Sequence, residues 1–265
     1  MRKSVYTLNK AAWNRMALAS EPWSQPVSSE IINEARKGKL YIPLLPGELP
    51  NGWLPKVRDM RVLCLAGGGG QQAPVLAAAG AEVVVFDASE EQLALDEQVA
   101  KRENLELKTM LGDMSDLSVF ADESFDIIFH PVSNLYVPDV CCIWNECFRI
   151  LRSSGRLLSS FYNPTTFVFE RNAQLEHQHL LRPRYNLPYS DIDDLDADTI
   201  TNKKYRGEAF VFGHTLNDQI GGQLNAGFKL IGFKEAMSPN PRFLIEKYVP
   251  SFIATCALKI AHEVS

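Results

Sequence analysis

Val62-Leu63-Cys64-Leu65-Ala66-Gly67-Gly68-Gly69-Gly70-Gln71-Gln72 decides the fold of this chain. An apolar run ends in four consecutive glycines, and a helix-like segment follows. The pattern predicts a strand, a tight turn and a helix start. Glycine suits such a turn because its backbone reaches angles that a Cβ disfavours, and because a bare backbone lets a ligand come close. A second apolar run, Val83-Val84-Val85-Phe86-Asp87, predicts a strand ending in a carboxylate. Twenty-one positions separate Ala66 from Asp87. A nucleoside-binding βαβ unit places its ribose-binding acid about 20 residues beyond the glycine turn.

Outward from this pair, the chain alternates strand and helix. Ser89 can cap the next helix, with Gln92 three residues later as in a capping box. Further strands are predicted near 106–111 and 125–129. Val140, Ile143, Trp144, Cys147, Phe148 and Leu151 then follow helical spacing. Ser153-Ser154-Gly155 is expected to end that helix, with a fifth strand over 156–161. Short links between alternating elements predict a parallel sheet covered on both faces.

Residues 163–206 break the rhythm. They are polar and contain the acid-rich run from Asp191 to Asp198. This insertion after strand five reads either as a solvated loop or as a lid, because ligands bind at the carboxyl edge of open sheets. The pattern resumes at 209–212. A helix capped by Thr215 and Asp218 is expected to run to about 226, followed by strands at 227–233 and 251–258. Upstream, helices are expected near 9–20 and 27–37, and four prolines make 41–56 a connector. The expected organisation is therefore an N-terminal helical cap and connector, 1–59, and a ligand-binding domain, 60–265, carrying a lid-like insertion.

Composition narrows the function. The chain has 265 residues, 46% hydrophobic and 22% charged, which fits a globular protein. A net charge of −5 gives no general attraction to nucleic acid. No apolar run reaches the roughly 20 residues of a membrane span. The first residues lack the apolar core of a secretion signal, and a cytoplasmic location is expected. The five cysteines include no C-x-x-C pair and are expected as buried thiols. His177 and His179 lack a third ligand at defined spacing, so no metal is expected. His214 precedes a helix and is expected to be structural.

In order along the chain, several motifs resemble those of the class I S-adenosylmethionine-dependent methyltransferases, near the ubiquinone/menaquinone branch. They are Val62–Gly70, Phe86-Asp87-Ala88-Ser89, Leu111-Gly112-Asp113-Met114, Ser124-Phe125-Asp126-Ile127-Ile128, the stretch from Glu146 to Leu158, and Ala226-Gly227-Phe228. The resemblance covers about 61–258. It implies an α/β fold with a Rossmann-like seven-stranded sheet, order 3-2-1-4-5-7-6, helices on both faces and an antiparallel last strand. It also implies S-adenosylmethionine as methyl donor, S-adenosylhomocysteine as product, and a small-molecule acceptor. On that resemblance Ala66, Gly67, Gly68, Gly70 and Gln72 would surround the methionine part. Asp87, with Ala88 and Gln92 beside it, would take the ribose hydroxyls. Gly112, Asp113 and Met114 would hold the adenine, with Asp113 accepting from its amino group and Met114 against its ring.

Two positions depart from the family pattern. Cys64 stands where an acid is usual, which leaves the cofactor ammonium without its usual partner; Gln71 or Gln72 is a substitute. Ala66 stands where glycine is usual. At the reacting end the chain reads His130-Pro131-Val132-Ser133-Asn134-Leu135-Tyr136, not the Asn/Asp-Pro-Pro-Tyr of enzymes that methylate planar amides or adenine. His130 and Tyr136 are the candidate catalytic groups, and the carbonyl of His130 is a candidate ammonium partner. Trp13, Ser133, Asn134 and Tyr136 are candidates for the acceptor pocket, with Asn14 and Trp23 in a possible N-terminal lid. A sulfonium methyl is already activated, so in-line placement can do most of the catalytic work. Two other readings stay open: a non-catalytic S-adenosylmethionine-binding protein, and an NAD-dependent oxidoreductase.

Overall fold

In the computed structural model, residues 2–260 are described. Met1 and residues 261–265, the last of these inside the expected ligand-binding domain, lie outside the described residues. The chain begins with helices α1 (Arg2–Leu18) and α2 (Ser29–Arg36), then enters the sheet. The next elements are β1 (Arg61–Leu65), α3 (Gln72–Ala78), β2 (Glu82–Asp87), α4 (Glu90–Glu103), β3 (Lys108–Leu111), β4 (Phe125–His130), α5 (Cys141–Ile150) and β5 (Leu151–Tyr162). The insertion carries α6 (Ala173–His177), β6 (Tyr189–Ser190), α7 (Asp191–Asp194) and α8 (Ala197–Arg206). After it come β7 (Phe212–Gly213), α9 (Gly222–Asn225), β8 (Phe228–Ala236) and β9 (Phe252–Lys259).

The main sheet has seven strands in the order β3-β2-β1-β4-β5-β9-β8. Since β8 and β9 are its sixth and seventh strands, this is the expected 3-2-1-4-5-7-6. The first five strands are parallel, and β9 runs antiparallel to both neighbours. Side chains alternate between two apolar layers, as the pleat requires. Val62, Cys64, Ile127, Phe129 and Leu158 face one layer. Leu63, Leu65, Ile128 and Leu157 face the other, against Trp144 and Cys147 of α5. Covering on both faces explains why Val62–Leu65 is an unbroken apolar run.

Several boundaries differ from the sequence reading. Helix α5 ends at Ile150, not at 153–155. Ser153-Ser154-Gly155 instead forms an irregular start to β5, with Ser154 at φ +66° and a register shift against β4. The Thr215–Asp218 cap is present: the Thr215 hydroxyl donates to Asp218 Oδ2 at 2.7 Å, and Asp218 N–H donates back at 3.1 Å. The segment it opens is a wide turn over Asn217–Gly221 that tightens into α9.

The N-terminal segment shares the core of the sheet domain. Ile32, Ala35, Ile42, Leu44, Leu45, Trp53 and Val57 join the same apolar layer as Val62 and Cys64. Asn9 ties three elements together. Its amide donates to the carbonyls of Tyr136 (2.9 Å) and Phe210 (3.0 Å), and its oxygen accepts from Phe210 N–H at 2.7 Å. The insertion is ordered by its own contacts. Phe167 and Tyr189 pack with Leu135, and the α8 residue Lys203 pairs with the buried Asp191 at 3.0 Å. Among the described residues no helix is long and apolar enough to cross a membrane.

Candidate active site

The carboxyl ends of β1, β2, β4 and β5 share one edge of the sheet. A single cavity of about 700 Å³ lies along that edge. Ala66, Gly67, Gly68, Gln72, Asp87, Ala88, Gln92, Asp113 and Met114 line it, as do Trp13, Ser133 and Tyr136. The expected site residues Gly70, Gly112, His130 and Asn134 do not line it.

The glycine turn is held from behind by α4. Gly69 N–H donates to Gln92 Oε1 at 2.7 Å, and Gly70 N–H donates to Asp96 Oδ1 at 2.9 Å. Gln92 and Asp96 are four apart, so one helix face presents both acceptors. The Gln92 amide also donates to Ser24 Oγ at 2.5 Å, so its polar atoms are committed to structure. Those two bonds let Gln92 fix the turn and the Ser24 segment while it borders the cavity. Gly70 has φ +71° and lies against Pro26, which explains why glycine is needed there without a ligand. Gly112 is small for a similar reason: a Cβ at that position would run into the Phe86 ring.

Ala66 has φ +50°, a left-handed conformation that costs a residue with a Cβ. The glycine usual in the family would adopt it freely. Gln72 turns back so that its Oε1 accepts Gly68 N–H at 3.1 Å. Gln71 donates to the carbonyls of Pro22 and Gln25, both at 3.2 Å, and thereby pins the Trp23 segment over the turn.

Asp87 stands half-buried at the end of β2 and accepts Ser89 N–H at 2.7 Å. Burial pushes its carboxyl up to about 7, against the lowering effect of the Ser89 and Ala88 amides. Asp113 accepts the Ser115 N–H (2.9 Å) and hydroxyl (2.7 Å) on a single oxygen, Oδ1. Its other oxygen makes no further bond among the described residues, and the residue borders the cavity. Asp96 and Cys64 are buried together behind the turn, and burial raises both well above their ordinary values. A thiol at position 64 therefore sits where a second carboxylate would be costly beside Asp96.

The His130 side chain is turned into the core, which corrects the expectation of a base. It is fully buried, its Nδ1 bonds to the Leu65 carbonyl at 2.9 Å, and its Nε2 has no partner. Burial lowers its pKa to about 4, so it is neutral near pH 7. Asn134 is likewise buried, in an amide pair with Gln219 at 2.9 Å. Asn14 faces away from the cavity toward Ser89 and Glu90. Tyr136 does reach the cavity, edge-on to Trp13 at 5.1 Å. Burial raises its pKa, so the group at the cavity is a neutral phenol able to hydrogen-bond.

The far end of the cavity comes from elements without a decodable motif. The connector supplies Pro43, Leu44, Leu45 and Pro46; β5 supplies Tyr162; the β8–β9 loop supplies Ser238, Asn240 and Arg242. No described residue of 163–206 lines the cavity. The insertion packs instead behind the Leu135 segment. Among the described residues no group of three His, Cys, Asp or Glu side chains is placed to hold a metal.

A doubly covered seven-stranded sheet with a glycine turn and an acid at its carboxyl edge defines a Rossmann-like, nucleoside-cofactor α/β protein. A family model described as a methyltransferase domain matches residues 63–159. The chain is 42% identical over 253 residues to the Uncharacterized methyltransferase YbaJ of Bacillus subtilis (strain 168), across 95% of this chain and 97% of that protein. It is 34% identical over 146 residues to the ubiquinone/menaquinone biosynthesis C-methyltransferase UbiE of Dinoroseobacter shibae, covering 50% of this chain and 57% of that one. The crystal structure of an S-adenosylmethionine dependent methyltransferase from Mesorhizobium loti has the same fold, with TM-score 0.56 at 18% identity over 77% of this chain and 93% of that chain. The chain belongs to the methyltransferase family.

Proposed function

We propose that this protein transfers a methyl group from S-adenosylmethionine to the oxygen, nitrogen or carbon of a small molecule, chiefly by positioning the two in line. The observation that carries this is a single cavity with a nucleoside-binding end and an apolar, aromatic end. At the first end Asp87 would accept the ribose hydroxyls, the unengaged oxygen of Asp113 would accept from the adenine amino group, and Met114 would pack on the ring; all three line the cavity. Ala66, Gly67 and Gly68 offer bare backbone to the methionine part. The residues present therefore fit the cofactor. When bound, S-adenosylmethionine supplies a sulfonium methyl whose transfer leaves the bond electrons on sulfur and yields S-adenosylhomocysteine.

Pro131, Val132 and Ser133 lie at the cavity between the two ends, just beyond β4. They are where the acceptor atom would meet the methyl. Trp13, Trp23 and Leu45 also line the cavity. No histidine among the described residues lines the cavity, so an acceptor proton would pass to solvent or to a carboxylate of the wall.

Calorimetry with S-adenosylmethionine, S-adenosylhomocysteine and NADH tests the reading. Saturable binding of the first two, lost in Asp87→Ala with the fold intact, is expected. Binding of NADH alone would replace the reading with the oxidoreductase one. Cofactor binding with no turnover in a broad acceptor screen would favour a non-catalytic binder.

A further inference from the structure

The cavity is charged unevenly. Its acids are Glu21, Asp87, Asp113 and Asp139, and its one cation among the described residues is Arg242. Asp87 ends β2, whereas Arg242 binds the Tyr162 hydroxyl at the end of β5, with a 2.5 Å bond from Nη2. Two strands, β1 and β4, separate β2 from β5, so these groups stand about three strand spacings, roughly 14 Å, apart. The acidic end suits a cationic sulfonium cofactor. The guanidinium therefore marks the opposite, acceptor end.

Arg242 forms no ion pair with any described residue. The nearby Glu246 takes its backbone N–H at 2.7 Å, and Glu170 is occupied by Arg182 and by Arg184. The guanidinium is held by stacking: it lies 5.9 Å from the Tyr162 ring and 5.7 Å from the Phe243 ring. Arg171, also outside any ion pair, lies 4.4 Å from the same Phe243 ring and adds positive potential behind the site. An exposed guanidinium whose Nη2 is bound to the Tyr162 hydroxyl keeps its Nε–H and Nη1–H donors for a planar oxyanion. Beside it, Leu44, Leu45, Tyr162 and Phe252 form an apolar wall.

We propose that the methyl acceptor is an organic carboxylate, its anionic group seated on Arg242 and its apolar body against Leu45, Tyr162 and Phe252. The proposal rests on the methyltransferase reading and adds the substrate class. The one cation lining the wall among the described residues matches a monoanion. Arg242 touches the acceptor and determines specificity, but it does not take part in bond making.

The test uses protein saturated with S-adenosylhomocysteine, titrated with octanoate and phenylacetate and with their uncharged amides. The carboxylates are expected to bind about tenfold tighter than the amides, the worth of one charge-assisted hydrogen bond in a partly solvated site. Arg242→Gln should abolish that preference, Arg242→Lys should keep part of it, and Arg171→Gln should keep most of it. Since Arg242 is exposed, the variants should fold, and their S-adenosylhomocysteine affinity should stay within about twofold of the parent. Failure of the parent protein to bind S-adenosylhomocysteine would sink the methyltransferase reading itself. Cofactor binding with carboxylates no tighter than amides, with no carboxylate saturation at about 10 mM, or with preference surviving in Arg242→Gln, would overturn the carboxylate proposal alone.

Discussion

Asp87→Asn should stabilise the free protein while weakening its hold on the cofactor. The Asp87 carboxyl rises from 3.8 to about 7, chiefly because its ionised form is poorly solvated at the end of β2. Three pKa units at about 1.4 kcal/mol each set a ceiling of about 4 kcal/mol for the cost of ionising it. Because the group borders a cavity that water enters, about 1–2 kcal/mol is the realistic effect. The sign follows from proton counting. Below pH 3.8 the acid is protonated in folded and unfolded chains alike, and the variant gains nothing. Between 3.8 and about 7 the folded state alone keeps the proton, so the parent loses stability as pH rises. Above about 7 the penalty is complete. The variant should therefore match the parent near pH 4 and exceed it at pH 8.5, by about 2–6 °C in melting temperature for a chain of this size. Asparagine keeps an acceptor for Ser89 N–H but offers a neutral partner to the ribose. S-adenosylhomocysteine should bind about 10–100-fold more weakly, the loss of one or two charge-assisted bonds. In the parent, binding below pH 7 should release a proton, visible as buffer-dependent calorimetric enthalpy. Melting curves of both proteins across pH 4–8.5, with calorimetry at the upper end, decide the matter. Identical melting profiles, or unchanged affinity, would refute the burial argument and the ribose role respectively.

Ala66→Gly should relieve the left-handed strain at φ +50°; after the added freedom of the unfolded glycine, a gain of about 0.5–1 kcal/mol is expected in denaturant unfolding. A loss of stability there would mean that the alanine methyl packs usefully. Gln92→Ala leaves Gly69 N–H and the Ser24 hydroxyl without partners, and should cost about 2–3 kcal/mol and loosen cofactor binding; a neutral effect would detach α4 from the control of the turn. His130 has its pKa lowered from 6.5 to about 4 by burial, so the unfolded chain binds the extra proton between those values and stability falls as pH drops through that window. His130→Phe should flatten that acid limb while cofactor affinity persists. An unchanged limb would assign it elsewhere, and lost affinity would place the imidazole nearer the site than its burial indicates.

Local rules carried much of this molecule. The apolar run 62–65, the glycines after it and the acid at 87 announce the first βαβ unit because strand period, turn chemistry and strand-end position act over a few residues. The same locality makes Asp113 and Met114 readable as a motif. The packing around the turn was less legible. Gln92 reads from its spacing as a capping-box residue and from the family resemblance as a ribose neighbour, yet its amide bonds Gly69 and Ser24, and Asp96 gives no signal beyond standing one helical turn further along. His130 reads as a base from its position after β4. Only the tertiary structure shows its ring pointing at the Leu65 carbonyl and Trp144, because a one-residue step along a strand exchanges core for cavity.

The distant end of the site had no local signature at all. Leu44 and Leu45 come from a proline-rich connector, Tyr162 from the end of β5, and Arg242 from a loop between two antiparallel strands. Nothing in their spacing links them, since their meeting depends on β9 inserting beside β5 and on α1 being tied down through Asn9. The sequence by itself determined the sheet, the cofactor turn and the family, because those are written in periodicity and short-range turn chemistry. The tertiary structure alone decided which polar groups face the cavity and which are spent on holding it, because that follows from chain crossings over tens of residues.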